Sequence, residues 1–283
     1  MNHPFNPFID DFVRLMEEAR GLPLGGLPPA AAPRLQDNAP RALVFAPHPD
    51  DESITGGLPL RLRRELHIRV SVAAVTLGSR VERQAARLEE MRGACHFLGF
   101  ELIPTRLGGI NPRTRENNPS AWEEAVTQVA QLIAYHRATV LFLPHDQDFN
   151  STHIGTHLLV VDALRSLGRG FACKVVETEF WQPMADPNLM VASSAAEVAD
   201  LVAAVSFHKG EVARNPYHLS LPCWMADNVR RGAELVGGQG GTAPGFHFAT
   251  LYRLREWVKG DFSPCLNAPR VIPAGQGLGA IFK

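Results

Sequence analysis

His48, Asp50 and Asp51 stand together in the stretch A-L-V-F-A-P-H-P-D-D-E-S-I-T-G-G, residues 42–57. Imidazole nitrogen and carboxylate oxygen are the donors that a divalent ion such as zinc takes from protein. His48 and Asp51 lie three residues apart on one turn, so both can reach one ion. Asp50 then has no obligation to the ion and is free to accept a proton from water, which is general-base work. Pro49 fixes φ inside the turn and narrows its geometry. A plainer reading is a helix start at which acids satisfy free N–H groups and the helix dipole. That suits one Asp, but it leaves a His followed by two Asp and a Glu unexplained.

A second concentration of chemistry is H-D-Q-D-F-N-S-T-H-I-G-T-H, residues 145–157, with three His and two Asp in thirteen positions. An ion held by His48 and Asp51 needs a third protein ligand, with a fourth position left open for catalysis. Capping of a following helix by Asp148, Asn150 or Thr152 accounts for one polar residue here. It does not account for His145, His153 and His157.

The elements around these stretches place both at the carboxyl ends of strands. Ala42–Pro47 is a short apolar run bounded by Pro, which reads as a buried strand. A helix over 53–66 follows it, and Gly56 and Gly57 let that helix approach the sheet closely. The β-branched run Ile68–Leu77 is a second strand, 79–98 a long helix, and Glu101–Leu107 a third strand. A polar loop to Ser120 suits a substrate-facing role, with Ser120 and Glu123 as the capping box of a helix over 121–136. Ala138–Pro144 is a fourth strand, and a helix runs from the His-rich segment to Leu167. Phe171–Phe180 is a fifth strand, with Glu177 and Glu179 on a face turned to water or to the site. Helices over 193–214, the first capped by Ser194 with Glu197, and over 225–236 precede a strand-like F-H-F-A-T-L-Y-R-L. The alternation of strands and helices predicts an α/β, three-layer sandwich with a mainly parallel, Rossmann-like sheet. In such sheets ligands bind outside the carboxyl ends of the strands.

P-H-P-D-D-E after a hydrophobic strand resembles the signature of the PIG-L/LmbE family of metal-dependent N-deacetylases acting on N-acetylglucosamine-type sugars. The resemblance implies His48 and Asp51 as zinc ligands and Asp50 as the base. That family takes its third ligand from a His-x-x-His segment opening the later helix, which implies His153. The first His of that pair falls on Asn150, which can donate a hydrogen bond but carries no charge. The resemblance therefore leaves Asn150, His145 and His157 as candidates for contacting substrate. Arg87 matches an Arg-x-x-Glu spacing in the family and is a candidate for a substrate hydroxyl or carbonyl. F-H-K-G-E is similar to the family's His-x-Ser-Gln, with Gly210 and Glu211 in place of Ser-Gln, which adds His208. Trp181 is a candidate for stacking on a sugar face. The implied activity is removal of an N-acetyl group from an amino sugar or a GlcNAc-containing conjugate, with zinc or another divalent ion such as iron. The alternatives are a metal-binding carbohydrate-recognition relative with little or no turnover, and an amidase acting on another conjugate.

The rest of the 283-residue chain narrows the partners. Its formal net charge is −1, so nothing electrostatic favours nucleic acid. It has no run of eighteen apolar residues, and its first twenty lack a signal-peptide core. Four scattered cysteines without a Cys-x-x-Cys pair read as reduced thiols of a cytoplasmic protein. Neither a Gly-x-Gly-x-x-Gly after the first strand nor a Gly-x-Ser-x-Gly elbow is present. Three segments are expected: an N-terminal helix and Pro/Gly-rich arm over 1–40, a deacetylase-like domain over 41–258, and a C-terminal arm over 259–283. In the first of these, Phe8, Phe12, Leu15 and Met16 share one helical face. That face either lies over the domain or serves a homo-oligomer contact.

Overall fold

The computed structural model describes residues 3–105 and 107–283. Its elements run α1 (Asn6–Ala19), β1 (Arg41–Ala46), α2 (Asp51–Ile54), α3 (Gly57–Glu65), β2 (Arg69–Ala74), α4 (Val81–Leu98) and β3 (Glu101–Pro104). They continue with α5 (Pro112–Asn117), α6 (Pro119–His136), β4 (Val140–Pro144), α7 (Ser151–Ser166), β5 (Cys173–Thr178) and β6 (Leu189–Ser193). The chain ends with α8 (Ala195–Ser206), α9 (Lys209–Arg214), α10 (Tyr217–Leu235), β7 (Phe248–Val258), β8 (Asp261–Pro264), β9 (Arg270–Ile272) and α11 (Gly279–Phe282).

One sheet carries the order β3-β2-β1-β4-β5-β7-β6-β9, with β8 paired to β7. β3, β2, β1, β4 and β5 are mutually parallel, and β7 runs antiparallel between β5 and β6. Successive side chains of a strand point to opposite faces, and β1 shows this directly. Ala42, Val44 and Ala46 pack into a core with α3, α4 and α8, while Leu43 and Phe45 pack into a second core with α6 and α7. The result is the expected three-layer α/β sandwich. The chain leaves β1 for β2 on one side and returns to β4 on the other. The crevice at that reversal is where an open α/β sheet binds ligands.

Several expected elements differ, each for a local reason. The single helix expected over 53–66 is two, broken at Gly56, whose φ is +91°. A Cβ at Gly56 would overlap the Thr250 side chain, and one at Gly57 the Ser193 hydroxyl, so both glycines bring the chain against the sheet. Asn118, not Ser120, caps α6, because Pro119 already occupies its first turn. The helix expected over 193–214 breaks before His208, which becomes the residue preceding α9. The 225–236 helix begins earlier, at Tyr217, and carries Pro222 in its interior. β3 is shorter than expected, and the expected continuation through Arg106 lies outside the described residues. Residues 259–283 supply β8, β9 and α11, so two strands of the sheet come from the segment expected to be an arm.

Residues 21–40 follow the expected irregular path along the domain. The Ala30 N–H donates to the Phe97 carbonyl at 2.9 Å, and Arg63 donates to the Pro33 carbonyl at 2.8 Å. α1 buries none of its residues and exposes Phe8, Phe12 and Leu15. Among the described residues no helix is long and apolar enough to cross a membrane.

Candidate metal centre

β1 ends at Ala46, and the chain turns through Pro47, His48, Pro49 and Asp50 into α2. The turn is strained at one position: Asp50 has φ +114°, a region that non-glycine residues rarely occupy. Four contacts hold it there. The Asp50 N–H donates to Oε2 of Glu52 at 3.0 Å. Its carbonyl accepts from the Ser53 and Ile54 N–H groups at 3.0 and 3.2 Å. Arg87 donates to the preceding carbonyl, that of Pro49, at 2.9 Å.

α7 delivers the second half of the site from the end of β4. Asn150 caps it, its side-chain oxygen accepting from the Thr152 N–H at 2.9 Å. His153, on the first turn, is fully buried and reaches His48 and Asp51. Nδ1 of His48 and Nε2 of His153 are 3.2 Å apart. Oδ2 of Asp51 lies 3.4 Å from the first and 3.3 Å from the second. Three donors around one tetrahedral ion with bonds of about 2.0–2.1 Å are separated by about 3.3 Å. The triangle therefore has the size a zinc-like ion requires. Beyond it, Nδ1 of His153 faces Oδ2 of Asp148 at 3.5 Å, the carboxylate–imidazole arrangement that orients a ligating histidine. Asp148 is itself held by the Asn150 and Trp181 N–H groups, at 2.8 and 3.2 Å. The donor set fits a divalent ion.

The charges are arranged to match. Burial alone would raise the Asp51 carboxyl, but the two imidazoles outweigh it and hold Asp51 well below the usual carboxylate range. Burial alone would lower His153, but Asp51 and Asp148 push it up to about 9. Asp50 behaves in the opposite way: burial, then the Asp51 charge, push its carboxyl well above the ordinary value. Two neighbouring carboxylates of different character are what a ligand and a base require.

Residues 43–164 match the family model described as PIG-L: GlcNAc-PI de-N-acetylase. Over these residues the chain is similar to the PIG-L family. The matched segment contains both strand ends and all four residues of the centre. No curated protein sequence matches the chain. Solved structures share the fold at low identity. The 4-carboxy-2-hydroxymuconate hydratase GalB of Pseudomonas putida KT2440 is 16% identical, with a TM-score of 0.58 over 76% of this chain and 95% of that one. The N,N'-diacetylchitobiose deacetylase of Pyrococcus horikoshii is 14% identical, with a TM-score of 0.55 over 89% of this chain and 93% of that one. A deacetylase from the biosynthesis pathway of teicoplanin is 14% identical, with a TM-score of 0.54 over 77% and 98%.

Of the other candidate residues, Arg87 and Asn150 line a cavity of about 710 Å³ that opens above the three donors, together with His48, Asp50 and Asp51. Trp181 is on its wall, as are Tyr217 and Trp224 from α10. The structure does not bring His145, His157 or His208 to this cavity. Both ring nitrogens of His145 are engaged, Nε2 with the Gln182 carbonyl at 2.7 Å and Nδ1 with the Gln147 N–H at 3.2 Å. That His145 ring pins the loop after β4. His157 is buried with Nδ1 on the Pro144 carbonyl at 3.0 Å, tying α7 to β4. His208 is buried against Glu52, Nε2 to Oε1 at 2.7 Å. Burial alone would lower His208, but the carboxylates around it, Glu52 foremost, outweigh burial and raise it. Glu177 and Glu179, expected to face water or the site, are buried in ion pairs instead. Glu177 accepts from Arg253 and Arg255, each at 2.6 Å, and Glu179 from Arg231 at 2.8 Å.

Sequence reasoning gave Glu52 no role and Asp148 only that of a possible helix cap. Glu52 stands inside the P-H-P-D-D-E motif and Asp148 five residues before His153, so proximity to assigned residues was the available signal. Tyr217 and Trp224 gave none, because Pro222 stands inside the helix that presents them.

Proposed function

We propose that the chain is a metal-dependent de-N-acetylase that hydrolyses the N-acetyl or N-acyl amide of an amino sugar or a GlcNAc-containing conjugate. The observation that carries this reading is the donor triangle of His48, Asp51 and His153 with the Asp50 carboxylate left over beside it. The PIG-L match supports it, as do neighbours described as an N,N'-diacetylchitobiose deacetylase and a deacetylase of the teicoplanin pathway. A divalent ion at the three donors, zinc in our reading, would polarise the amide carbonyl and lower the pKa of water at the site. Asp50 takes the proton of the attacking water and returns it to the departing amine. Its carboxylate, buried beside the three donors, holds that proton between the two steps. The side-chain oxygen of Asn150 is used as the helix cap, which leaves its NH₂ to donate to the substrate carbonyl oxygen. Trp181, Tyr217 and Trp224 supply flat apolar surface for a sugar ring on the cavity wall.

The test is acetate release from a panel of N-acetylated sugars by zinc-loaded protein, alongside Asp50→Asn. Release is expected from at least one sugar, with a fall of about 10²- to 10⁴-fold in the variant. Absence of acetate from every substrate would refute the reading. A second reading is a relative that binds sugar with little turnover or acts on another bond. It is favoured by the uncharged Asn150 and by a hydratase among the structures that share the fold. Sugar binding without acetate release would decide for it.

A further inference from the structure

A second compartment adjoins the main cavity. It has a volume of about 180 Å³ and is lined by Arg80, Arg83, Arg87 and Arg214, with Leu77, Ser79, Gly210 and Glu211. Ser79, Arg87, Glu211 and Arg214 line both spaces, so the two are continuous. One water needs about 10–15 Å³ of such space, so the compartment has room for a polyatomic anion with water around it.

Four guanidinium groups and one carboxylate line a compartment in a chain whose net charge is −1. The acids nearby do not saturate them. Arg214 is well paired, donating to Glu211 at 2.6 Å. Arg87 Nε is 3.9 Å from Glu211, Arg87 Nη2 is 4.0 Å from Asp50, and Arg83 Nη2 is 3.8 Å from Glu90. All three separations exceed a hydrogen bond. Among the described residues, Nε and Nη2 of Arg83 and Nε of Arg87 are buried without a hydrogen-bond partner. A buried donor left unpaired is costly, and a charged one more so.

Two glycines make room for these side chains. A Cβ at Gly210 would overlap the guanidinium of Arg83, and one at Gly78, which has φ +85°, would overlap that of Arg87. The fold thus seats two arginines with free donors beside the candidate base. Planar forks of N–H groups match carboxylate and phosphate oxygens in pairs.

We propose that this compartment is an anion subsite, and that the molecule hydrolysed at the metal centre carries a phosphate or carboxylate group held by Arg83 and Arg87, with Arg80 and Arg214 at the rim. The proposal rests on the deacetylase reading for what lies in the main cavity, but the subsite itself can be tested without turnover. Binding of inorganic phosphate is measured by calorimetry on chelator-stripped protein, for wild type, Arg83→Gln, Gly210→Ser and the exposed control Arg230→Gln. Gly210→Ser displaces the Arg83 guanidinium while keeping its charge, and circular dichroism verifies that each variant is folded. Saturable binding by wild type and Arg230→Gln, lost or weakened at least about tenfold in the other two, is expected. In zinc-loaded protein, N-acetylglucosamine 6-phosphate, N-acetylglucosamine 1-phosphate and N-acetylmuramic acid are compared with N-acetylglucosamine. At least one charged sugar should exceed the neutral one in kcat/KM by about tenfold or more, and Arg83→Gln should reduce that ratio. The two phosphate sugars and the carboxylate sugar separate the two anions. Phosphate binding unchanged in both subsite variants, or absent from wild type with no preference for charged sugars, overturns the proposal. Phosphate binding that depends on Arg83, without acetate from any sugar, keeps the subsite and rejects the deacetylase reading.

Discussion

Nε2 of His208 lies 2.7 Å from Oε1 of Glu52, and both side chains are fully buried. The other oxygen of Glu52 accepts the N–H of Asp50, the residue whose backbone is strained. His208 therefore positions the candidate base through two hydrogen bonds while sitting outside the cavity. His208→Gln should lower kcat by about 10- to 100-fold, the usual cost of losing an orienting partner, with KM and bound metal unchanged. His208→Ala, which leaves the Glu52 charge unpaired, should also lose about 3 kcal/mol of stability. Steady-state kinetics with a denaturant titration separates the two effects. Full kcat in a folded His208→Gln protein would exclude the positioning role.

The pH dependence of stability reports on His153 once metal has been stripped by a chelator. Its folded pKa is raised, to about 9 from an ordinary 6.5, because Asp51 and Asp148 outweigh burial. A raised folded pKa gives stability that is fully present below pH 6.5 and lost as the pH rises through 9. The difference in Tm between stripped wild type and stripped His153→Gln should therefore shrink across that window. In metal-loaded wild type the ion takes the place of the proton, and the same decline should be absent. A constant difference from pH 6 to 9.5 would contradict the assignment.

Gly56 illustrates a purely structural demand beside the site. Alanine there must adopt φ +91° and must also overlap Thr250. Gly56→Ala should destabilise by about 1–3 kcal/mol in urea unfolding. Adding Thr250→Ala should recover the packing part and leave the backbone part. Complete recovery in the double variant would show that the backbone conformation costs nothing.

Arg253 is the hub of a network away from the cavity, reaching buried Glu177 at 2.6 Å and exposed Asp146 at 2.6 Å. Arg253→Ala leaves Glu177 buried with only Arg255 and should cost about 3 kcal/mol. Glu177→Gln added to that variant should restore part of the loss, because it removes the stranded charge. Chemical denaturation of the three proteins measures it, and no loss in Arg253→Ala would remove the network from the account.

The half of the site around β1 was legible because it is local: strand, turn and helix start lie within sixteen residues, and the chemistry falls on consecutive positions. The half around α7 needed the family resemblance, since three histidines competed for one role. Only the fold separates them, turning His153 toward Asp51 while His145 and His157 close on backbone carbonyls. Glu177 was misread because alternation shows which side of a strand a residue faces. It does not show that β7, which supplies Arg253 and Arg255, will lie alongside. β6 escaped notice for the same reason: it is five residues long and is completed by a partner some sixty residues later. The parallel strands were readable from their apolar runs, whereas the first turns of α10 were hidden by Pro222, which the surrounding packing overrides.

In the function we propose, His48, Asp51 and His153 hold one catalytic divalent ion. Zinc titration of chelator-stripped protein, followed by calorimetry and checked by elemental analysis, tests it most directly. One tightly held ion per chain is expected in wild type, with loss of that site in His153→Ala and the fold retained by circular dichroism. Full zinc occupancy in folded His153→Ala, or no stoichiometric zinc in wild type, would contradict it.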